Sequence, residues 1–341
     1  MILLKKTYLN LKTRIPGDFA SKWSIAMFAH RESSEVLTQS IKALLMAVKS
    51  DSIIDVIVNG NEPLALQMVR LLDNLVLDDQ SASVSLRIWH IAQGDKAHAW
   101  NQYLYGIWEG AEIAYFVDGY VRVHSLALTR ISAALAHDHF ALAATGVPSQ
   151  GSSAARMKAQ LLAENGLHGN LHALRGASIM TLIQRKFILP VGIYRTDSLI
   201  GAAIKYNLDP TKYGWEPKRI KVVADASWDH TPLAIIKLSD LGIQFKRVIR
   251  QGQGVFENLA IRRHLSLDAK SLETLPETAS DLARNWMQEY PLELLRTLVK
   301  HPLAAFSLQR IMKPKNWSKV SIPPNLLACK KIEKAPISFS G

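Results

Sequence analysis

The stretch that decides the fold is Glu112-Ile-Ala-Tyr-Phe-Val-Asp118-Gly-Tyr-Val-Arg-Val123, in which a run of apolar residues ends on a carboxylate. Such a run, rich in β-forming side chains and without alternation, is typical of a strand buried on both faces in a parallel sheet. Asp118 would then lie at the carboxyl end of the strand, the edge where open α/β sheets bind ligands. An Asp-Gly pair is also common turn chemistry, so a plain turn between two strands is an equal reading of these residues.

Three strand-helix units precede this strand. Residues 24–29, 53–58 and 84–89 are short apolar runs, and apolar residues at helical spacing follow each of them. Pro63 is suitably placed in the first turn of the second helix. Strands that alternate with helices predict a parallel sheet with right-handed crossovers. No glycine-rich dinucleotide fingerprint or Walker loop follows any of these strands, which argues against both of those nucleotide-binding classes.

Length and charge narrow the class of protein. A chain of 341 residues is long enough for one large domain with an appendage. Its net charge of +12 predicts attraction to anions, which could be nucleic acid, an anionic membrane or a phosphorylated substrate. The sequence shows neither a membrane-spanning run nor a signal peptide, and its single cysteine, Cys329, cannot form an internal disulfide. We therefore expect a cytoplasmic protein.

Four segments together resemble the nucleotide-sugar half of a family 2 glycosyltransferase of the GT-A type. They are the strand at 24–29, Asn59-Gly-Asn61, Gly94-Asp-Lys96-Ala-His-Ala-Trp-Asn101 and Phe116-Val-Asp118-Gly-Tyr120. The resemblance covers roughly residues 23 to 255. It implies an α/β fold with a Rossmann-like, mostly parallel sheet flanked by helices.

The resemblance also implies which residues bind the donor. The loops after the first two strands would hold the base, Lys96 and Asn101 would lie against the nucleotide, and the Asp118 segment would meet the diphosphate. Two departures stand out, because Asn59 replaces the usual acid and Tyr120 replaces the usual second Asp. The amide can still bond a base edge, whereas a neutral phenol cannot replace a carboxylate. The expected donor-binding residues are Ala29, His30, Glu32, Asn59, Gly60, Asn61, Lys96, Asn101, Val117, Asp118 and Gly119.

A metal and a catalytic base follow from the same resemblance. Asp118, joined by His230 at the end of a later strand, would hold Mg²⁺ or Mn²⁺. Asp197, in Arg195-Thr-Asp197-Ser-Leu-Ile-Gly201, takes the place of the general base, although the Glu that normally precedes it is missing. At a helix start Asp197 could instead be a plain N-cap. Asp229 is the second candidate for the base, or a residue that orients His230.

Two more segments belong to the expected acceptor half. Gly169-Asn170-Leu-His-Ala-Leu-Arg175 resembles the short strand of the family that carries Gly-Asn. The segment around Arg250 and Gln251 resembles a basic loop that closes over the diphosphate, since arginine can grip phosphate oxygens with two bonds. A solvated basic surface is the alternative for that segment.

The sequence predicts three regions. An arm covers residues 1–22, and a glycosyltransferase domain covers 23–265, with a donor half at 23–123 and an acceptor half at 124–265. A helical, basic appendage covers 266–341 and begins with a polar linker at 271–280. Basic and aromatic residues interleave over the last forty residues or so, which fits contact with an anionic membrane surface as well as it fits packing on the domain.

The resemblance implies a metal-dependent, inverting transfer of a sugar from a nucleoside diphosphate sugar to an acceptor hydroxyl. The acceptor would be a saccharide or a lipid-linked molecule, as in the synthesis of bacterial surface polysaccharide or glycolipid. The alternative is a GT-A-like module that binds a nucleotide or a partner without catalysis, since the second Asp and the Glu are missing. Nucleic-acid binding ranks last, because no RNP, zinc-finger or helix-turn-helix signal accompanies the charge.

Overall fold

The computed structural model describes residues 3–11, 21–72, 82–151, 153–230, 241–301 and 304–332, and the side chains of all of these except residues 3, 241–251 and 304. Its strands are β1 Ser21–Ala29, β2 Ser52–Asn59, β3 Val84–Ile91, β4 Ala111–Asp118, β5 Val121–Val123, β6 Ala143–Pro148, β7 Leu171–Arg175, β8 Ile220–His230 and β9 Asn325–Ile332. Its helices are α1 Leu3–Leu9, α2 Ser34–Ala47, α3 Glu62–Leu72, α4 Lys96–Gln102, α5 Ala127–His137, α6 Ala154–Glu164, α7 Gly176–Gln184, α8 Thr196–Lys205, α9 Leu241–Arg262, α10 Ala279–Glu289, α11 Pro291–Lys300 and α12 Ala304–Met312.

Within the described ranges, one nine-stranded sheet runs in the order β5-β8-β6-β7-β4-β1-β2-β3-β9. The predicted parallel arrangement is confirmed for the first four strands, since β1 pairs in parallel with β2 and β4, and β2 with β3. The other half is mixed: β7 runs antiparallel to both β4 and β6, while β6 and β8 are parallel. The α/β class is confirmed, but parallel pairing is concentrated among β1 to β4.

The register of the central strands places the Asp118 segment at the sheet edge. Phe28 of β1 is opposite Asp118, and Val117 is opposite Leu171, the first residue of β7. The carboxyl end of β4 therefore meets the amino end of β7. The loop before β7 is thus brought to the edge that also carries the loops after β1, β2 and β3.

Two hydrophobic clusters cover the two faces of the sheet. One combines β1, β2 and β4 residues with the inner sides of α2, α3 and α5. The other joins the buried aromatic residues Trp100, Trp108 and Phe187 to Phe256 of α9 and Trp286 of α10. Aromatic side chains of this size contribute strongly to a core because they bury a large apolar area. This second cluster continues without a break across residue 265.

The described parts of the predicted arm, linker and appendage pack against the rest of the protein. Tyr8 of α1, within the predicted arm, is buried, and its hydroxyl lies 2.6 Å from Nδ1 of His98. In the predicted linker, Leu272 and Leu275 are buried in the core, because residues three apart lie on the same side of a short 3₁₀ turn. The final described segment is β9, a strand antiparallel to β3, so the tail closes one edge of the sheet. The appendage is thus not wholly helical.

Candidate active site

The loops after β1, β2 and β3 interlock at the carboxyl edge of the sheet. Gly60 has a φ of +65°, and a Cβ there would lie 2.4 Å from Cα of Gly94, so only glycine fits. The His30 ring packs beside both glycines, and its Nδ1 donates to the carbonyl oxygen of Asn59 at 2.6 Å. The three loops therefore form one continuous rim of the cleft.

Polar side chains of this rim hold the loops in shape. Asn59 is only 3% exposed, and its Nδ2 donates to the carbonyl oxygen of Ala29 at 2.9 Å. Asn61 Nδ2 donates to the His30 carbonyl oxygen at 2.8 Å. One carboxylate oxygen of Glu32 accepts from the backbone N–H of His30 at 2.6 Å. Nδ2 of Asn59 is thus occupied by the first loop, and contact of Asn59 with a base stays a prediction.

Asp118 sits at the centre of the site, at the end of β4. Its Oδ1 forms an ion pair with the Lys96 ammonium group, and its side chain is largely buried. The Tyr120 hydroxyl lies 3.2 Å from the other carboxylate oxygen and 2.9 Å from Oδ1 of Asn170. Burial, reinforced by the Asp118 charge, raises the pKa of Tyr120 above its usual value. Tyr120 is therefore a neutral donor beside a carboxylate that Lys96 compensates.

Gly119 fits the close approach of two loops. Its N–H donates to the carbonyl oxygen of Phe28 at 2.7 Å, and a Cβ would lie 2.9 Å from Cβ of Ala29. Val117 is buried in the core. Of the predicted Val117 to Gly119 segment, Asp118 is thus the residue whose side chain reaches the cleft.

The Gly94 to Asn101 segment presents Lys96 to the site and uses its other polar groups to build the fold. Asp95 caps α4, accepting from the His98 N–H at 2.8 Å and, on its other oxygen, from the Gly192 N–H at 3.0 Å. Asn101 is completely buried, and its amide bonds the N–H and the carbonyl of Leu189, both at 2.9 Å. Both polar groups of the Asn101 side chain are therefore occupied by Leu189, and its contact with a nucleotide stays a prediction.

Asp197 lies in the first turn of α8 and faces the loop that leads into β7. A Cβ at Gly169 would lie 3.6 Å from its Oδ2, while its Oδ1 accepts from the N–H of Ser198 at 3.0 Å. Because Gly169 precedes Asn170, which contacts Tyr120, the turn at 169–170 separates Asp197 from Asp118.

His168 connects the two carboxylates electrostatically, and sequence reasoning missed it. Burial lowers its pKa, against the charges of Asp197 and Asp118, which raise it, while Lys96 and Arg195 lower it further. Its Nδ1 accepts from the N–H of Asn170 at 3.1 Å. The imidazole is therefore held neutral while it lies within electrostatic reach of both acids. Its position directly before the Gly-Asn pair was the signal that the sequence offered.

Glu257 of α9 fixes the segment that leads into α8, and it too was missed. Its carboxylate is 1% exposed and accepts from the N–H groups of Tyr194 and Arg195, each at 2.9 Å, and from Nε2 of Gln253 at 2.7 Å. Burial raises the pKa of Glu257 although these donors oppose the rise. The spacing of four residues between Gln253 and Glu257 on one helix was a signal for this bond.

The segment around Arg250 and Gln251 is a helix rather than the predicted loop. It lies within α9, which runs through both glycines of that segment. Gly254 leaves room for Arg195, since a Cβ there would lie 2.7 Å from its Nε. The side chains of Arg250 and Gln251 lie outside the described residues, so their contact with a diphosphate stays a prediction.

His230 and Asp229 have separate surroundings. The His230 ring centroid lies 6.4 Å from that of Tyr120, next to the Asp118 site. Asp229 Oδ1 accepts from Nε of Arg122 at 2.7 Å, and its Oδ2 lies 3.3 Å from Nε2 of His124. Successive residues of a strand point to opposite sides. The structure therefore brings His230 towards the site and places Asp229 in an ion pair, where it does not orient His230.

The metal prediction has limited support from the donor set. No group of three or more His, Cys, Asp or Glu side chains is placed to hold a metal in the part of the chain that the structure describes. Asp118 and His230 offer an oxygen and a nitrogen that suit Mg²⁺ or Mn²⁺, but Lys96 already occupies one oxygen of Asp118. The two side chains fit a divalent cation only if Lys96 moves away and a substrate supplies further oxygens.

No protein-family model matches the sequence, and a comparison with curated proteins gives no significant match. Among solved structures, the chain is similar to a mannosyltransferase from Pyrobaculum calidifontis in complex with GDP-Man and Mn²⁺, with a TM-score of 0.49 and 14% identity over 94% of this chain and 90% of that one. It is also similar to S. aureus TarS residues 1–349 in complex with UDP-GlcNAc, with a TM-score of 0.43 and 15% identity over 85% and 89%.

A third similar structure is glucosyl-3-phosphoglycerate synthase from Mycobacterium tuberculosis with UDP, with a TM-score of 0.41 and 13% identity over 72% of this chain and 79% of that one. The solved structures similar to this chain thus include nucleotide-sugar transferases of the kind that the sequence resembles. At TM-scores of 0.41 to 0.49 the likeness concerns the course of the chain, and no function is transferred from it.

Proposed function

We propose that this protein is a glycosyltransferase that moves a sugar from a nucleoside diphosphate sugar to an acceptor hydroxyl. The observation that carries the proposal is the placement of two carboxylates on either side of the turn at 169–170. Asp118 is paired with Lys96 at the end of β4, and Asp197 lies at the start of α8. The pair of Lys96 and Asp118 suits the binding of a diphosphate, and the carboxylate of Asp197 suits the removal of a proton.

The donor would bind along the rim formed by the loops after β1, β2 and β3. Backbone groups of that rim, at Ala29, His30, Gly60 and Asn61, would meet the base and ribose. Lys96 can turn from Asp118 to the diphosphate, where an ammonium group stabilises the charge that grows as the bond to the sugar breaks. The interlocked loops support this role because a preformed rim loses little entropy on binding.

The acceptor would approach from the side of α8. Asp197 would accept the proton of the acceptor hydroxyl while its oxygen attacks the anomeric carbon. The bond from that carbon to the diphosphate oxygen breaks, and the nucleoside diphosphate leaves with the electron pair. A single displacement of this kind inverts the anomeric configuration. His168, held neutral within electrostatic reach of both acids, would position the turn at 169–170 against the sugar.

The proposal includes a divalent cation at the diphosphate. When bound, Mg²⁺ or Mn²⁺ would neutralise diphosphate charge, with Asp118 and His230 as its protein ligands. Lys96 must then release Oδ1 of Asp118 and stay on the phosphate.

We further propose that the acceptor is a saccharide or a lipid-linked molecule and that transfer takes place in the cytoplasm, at the inner face of the plasma membrane of a bacterium making surface polysaccharide or glycolipid. The net charge of +12 supports contact with an anionic surface. No helix in the described ranges is long and apolar enough to cross a membrane.

A thermal-shift screen of nucleoside diphosphates and their sugars, with and without Mn²⁺, tests donor binding. A ligand at about 100 times its dissociation constant should stabilise the protein by about 2.7 kcal/mol. Release of nucleoside diphosphate with the stabilising sugar donor and an acceptor extract then tests transfer. The second candidate is a binding module without catalysis, and the ion pair on Asp118 favours it. It predicts that nucleotides stabilise the protein but that no turnover occurs with Mg²⁺ or Mn²⁺.

A further inference from the structure

Helix α11 presents an apolar face that the described chain leaves uncovered. Leu292, Leu295 and Val299 are 70%, 60% and 74% exposed. Their spacing of three and four residues puts them on one side of the helix. Leu294 and Leu298, on the opposite side, pack against the core. The helix is therefore fixed to the protein by one side and offers the other to solvent.

Basic residues border this face. Arg296 and Lys300 are exposed, and they directly follow Leu295 and Val299 in the sequence. We call the three apolar residues of α11, with Arg296 and Lys300, the α11 face.

The acidic residues near this face are turned away from it. Glu293 accepts from Nε of Arg263 at 2.8 Å and from Nε1 of Trp286 at 3.0 Å. Glu289 forms an ion pair with Lys270 at 3.2 Å. Their charges are compensated within the protein, so the α11 face carries positive charge beside its apolar residues.

We infer that the α11 face docks onto an anionic lipid bilayer. Leu292, Leu295 and Val299 would enter the boundary between headgroups and acyl chains, and Arg296 and Lys300 would contact lipid phosphates. Docking of a second copy fits less well, because it would bring two positively charged borders together in a chain of net charge +12. The inference stands on this surface alone and is independent of sugar transfer.

The proposed contact lies before the last forty residues, for which the sequence left membrane contact and packing on the domain equally open. Ile311 is buried and Trp317 packs partly against the core. Lys330 and Lys331 lie on β9, and Nζ of Lys330 donates to the carbonyl oxygen of Leu72 at 3.0 Å. Strand β9, in the described part of the tail, is thus occupied in closing the sheet, whereas the side chains of the α11 face are exposed.

Co-sedimentation of the full chain with vesicles tests the inference. Vesicles of phosphatidylcholine with about a third phosphatidylglycerol should bind the protein, and pure phosphatidylcholine should bind it at least about tenfold more weakly. The triple variant Leu292→Ser, Leu295→Ser, Val299→Ser should lose about tenfold or more of the binding to anionic vesicles. A double variant, Arg296→Gln with Lys300→Gln, should lose a similar part of the binding to anionic vesicles. High salt should remove most of the binding that this variant keeps.

The matched control is Leu66→Ser with Leu162→Ser, two exposed leucines on α3 and α6. It should bind vesicles as the wild type does. Unchanged vesicle binding by the triple variant would overturn the inference. It would also be overturned by light scattering that shows a wild-type dimer and a monomeric triple variant with equal vesicle binding, because the face would then join two copies. Equal melting temperatures of the variants exclude unfolding as the cause.

Discussion

At the scale of single residues, the two carboxylates of the site differ in what holds them. Asp118 is compensated by Lys96 and bonded by Tyr120, whereas Asp197 is stabilised by the start of its own helix. A carboxylate outside an ion pair can accept a proton without the loss of that pair, so it is better suited to act as a base. The surroundings of Asp197 therefore support the proposal that it is the base.

Replacing Asp197 by Asn should abolish transfer while leaving donor binding unchanged, because the amide keeps the shape and cannot accept the proton. General base catalysis contributes about 10² to 10⁴-fold, so kcat should fall by that factor. Asp229→Asn is the control, since Asp229 is paired with Arg122 and should alter turnover little. A dead Asp229 variant beside an active Asp197 variant would assign the base to the end of β8 instead.

Lys96 and Asp118 should have opposite effects on metal use. In Lys96→Met, the affinity for a nucleoside diphosphate should fall about tenfold or more, since a charge-assisted hydrogen bond contributes about 1.5–3 kcal/mol. The remaining binding should depend more strongly on Mn²⁺, because Asp118 is then free for the cation. In Asp118→Asn, calorimetric titration should show binding that no longer responds to Mn²⁺. Equal Mn²⁺ dependence in both variants and the wild type would remove Asp118 from any metal site.

At the scale of elements, α9 supports α8 through one buried side chain. Glu257 bonds the N–H groups of Tyr194 and Arg195, which immediately precede α8. Glu257→Gln leaves one carbonyl oxygen for three donors and turns an NH₂ group towards an N–H. We expect a loss of about 1–3 kcal/mol of stability, and a lower kcat at unchanged donor KM, because Asp197 shifts while the donor rim does not.

The control for Glu257 is Asp55→Asn. Asp55 is also buried and paired, with Nε of Arg87 at 2.6 Å, but it lies on β2 away from α8. It should lower the melting temperature without changing kcat at a temperature where both variants are folded. A fall in kcat that follows stability equally in the two variants would show that Glu257 acts on the fold alone.

The sequence predicted the elements of the donor half well because buried parallel strands have a plain signature of short apolar runs followed by amphipathic helices. It also predicted the start of α8 that carries Asp197. It could not predict which way polar side chains at the ends of strands and in helices point, since Asn59 and Asn101 have the same chemistry whether they meet a ligand or a backbone carbonyl. The direction of β7 and the addition of β9 depend on contacts between distant segments, which no local pattern encodes.

At the scale of the whole molecule, low pH should destabilise the fold through both its positive net charge and its buried histidines. The protein already carries a net charge of +12 with its histidines neutral, so every added proton increases repulsion. His98 and His172 are buried, and each leaves Nε2 without a hydrogen-bond partner in the described structure. Burial lowers the pKa of His98 to about 4 and, together with the charge of Lys96, that of His172 to about 3.

These two histidines should make the protein sensitive to mild acid. In the unfolded chain their pKa returns to about 6.5, so between that value and the folded one the unfolded state binds more protons. Stability is therefore full above about pH 6.5 and falls as the pH drops towards 4, by about 2 kcal/mol for each histidine at pH 5. Chemical unfolding at pH 7.5 and pH 5 measures the difference. Replacing both residues by Gln should lower stability at pH 7.5 and flatten its pH dependence; an unchanged dependence in that variant would place the acid sensitivity in other groups.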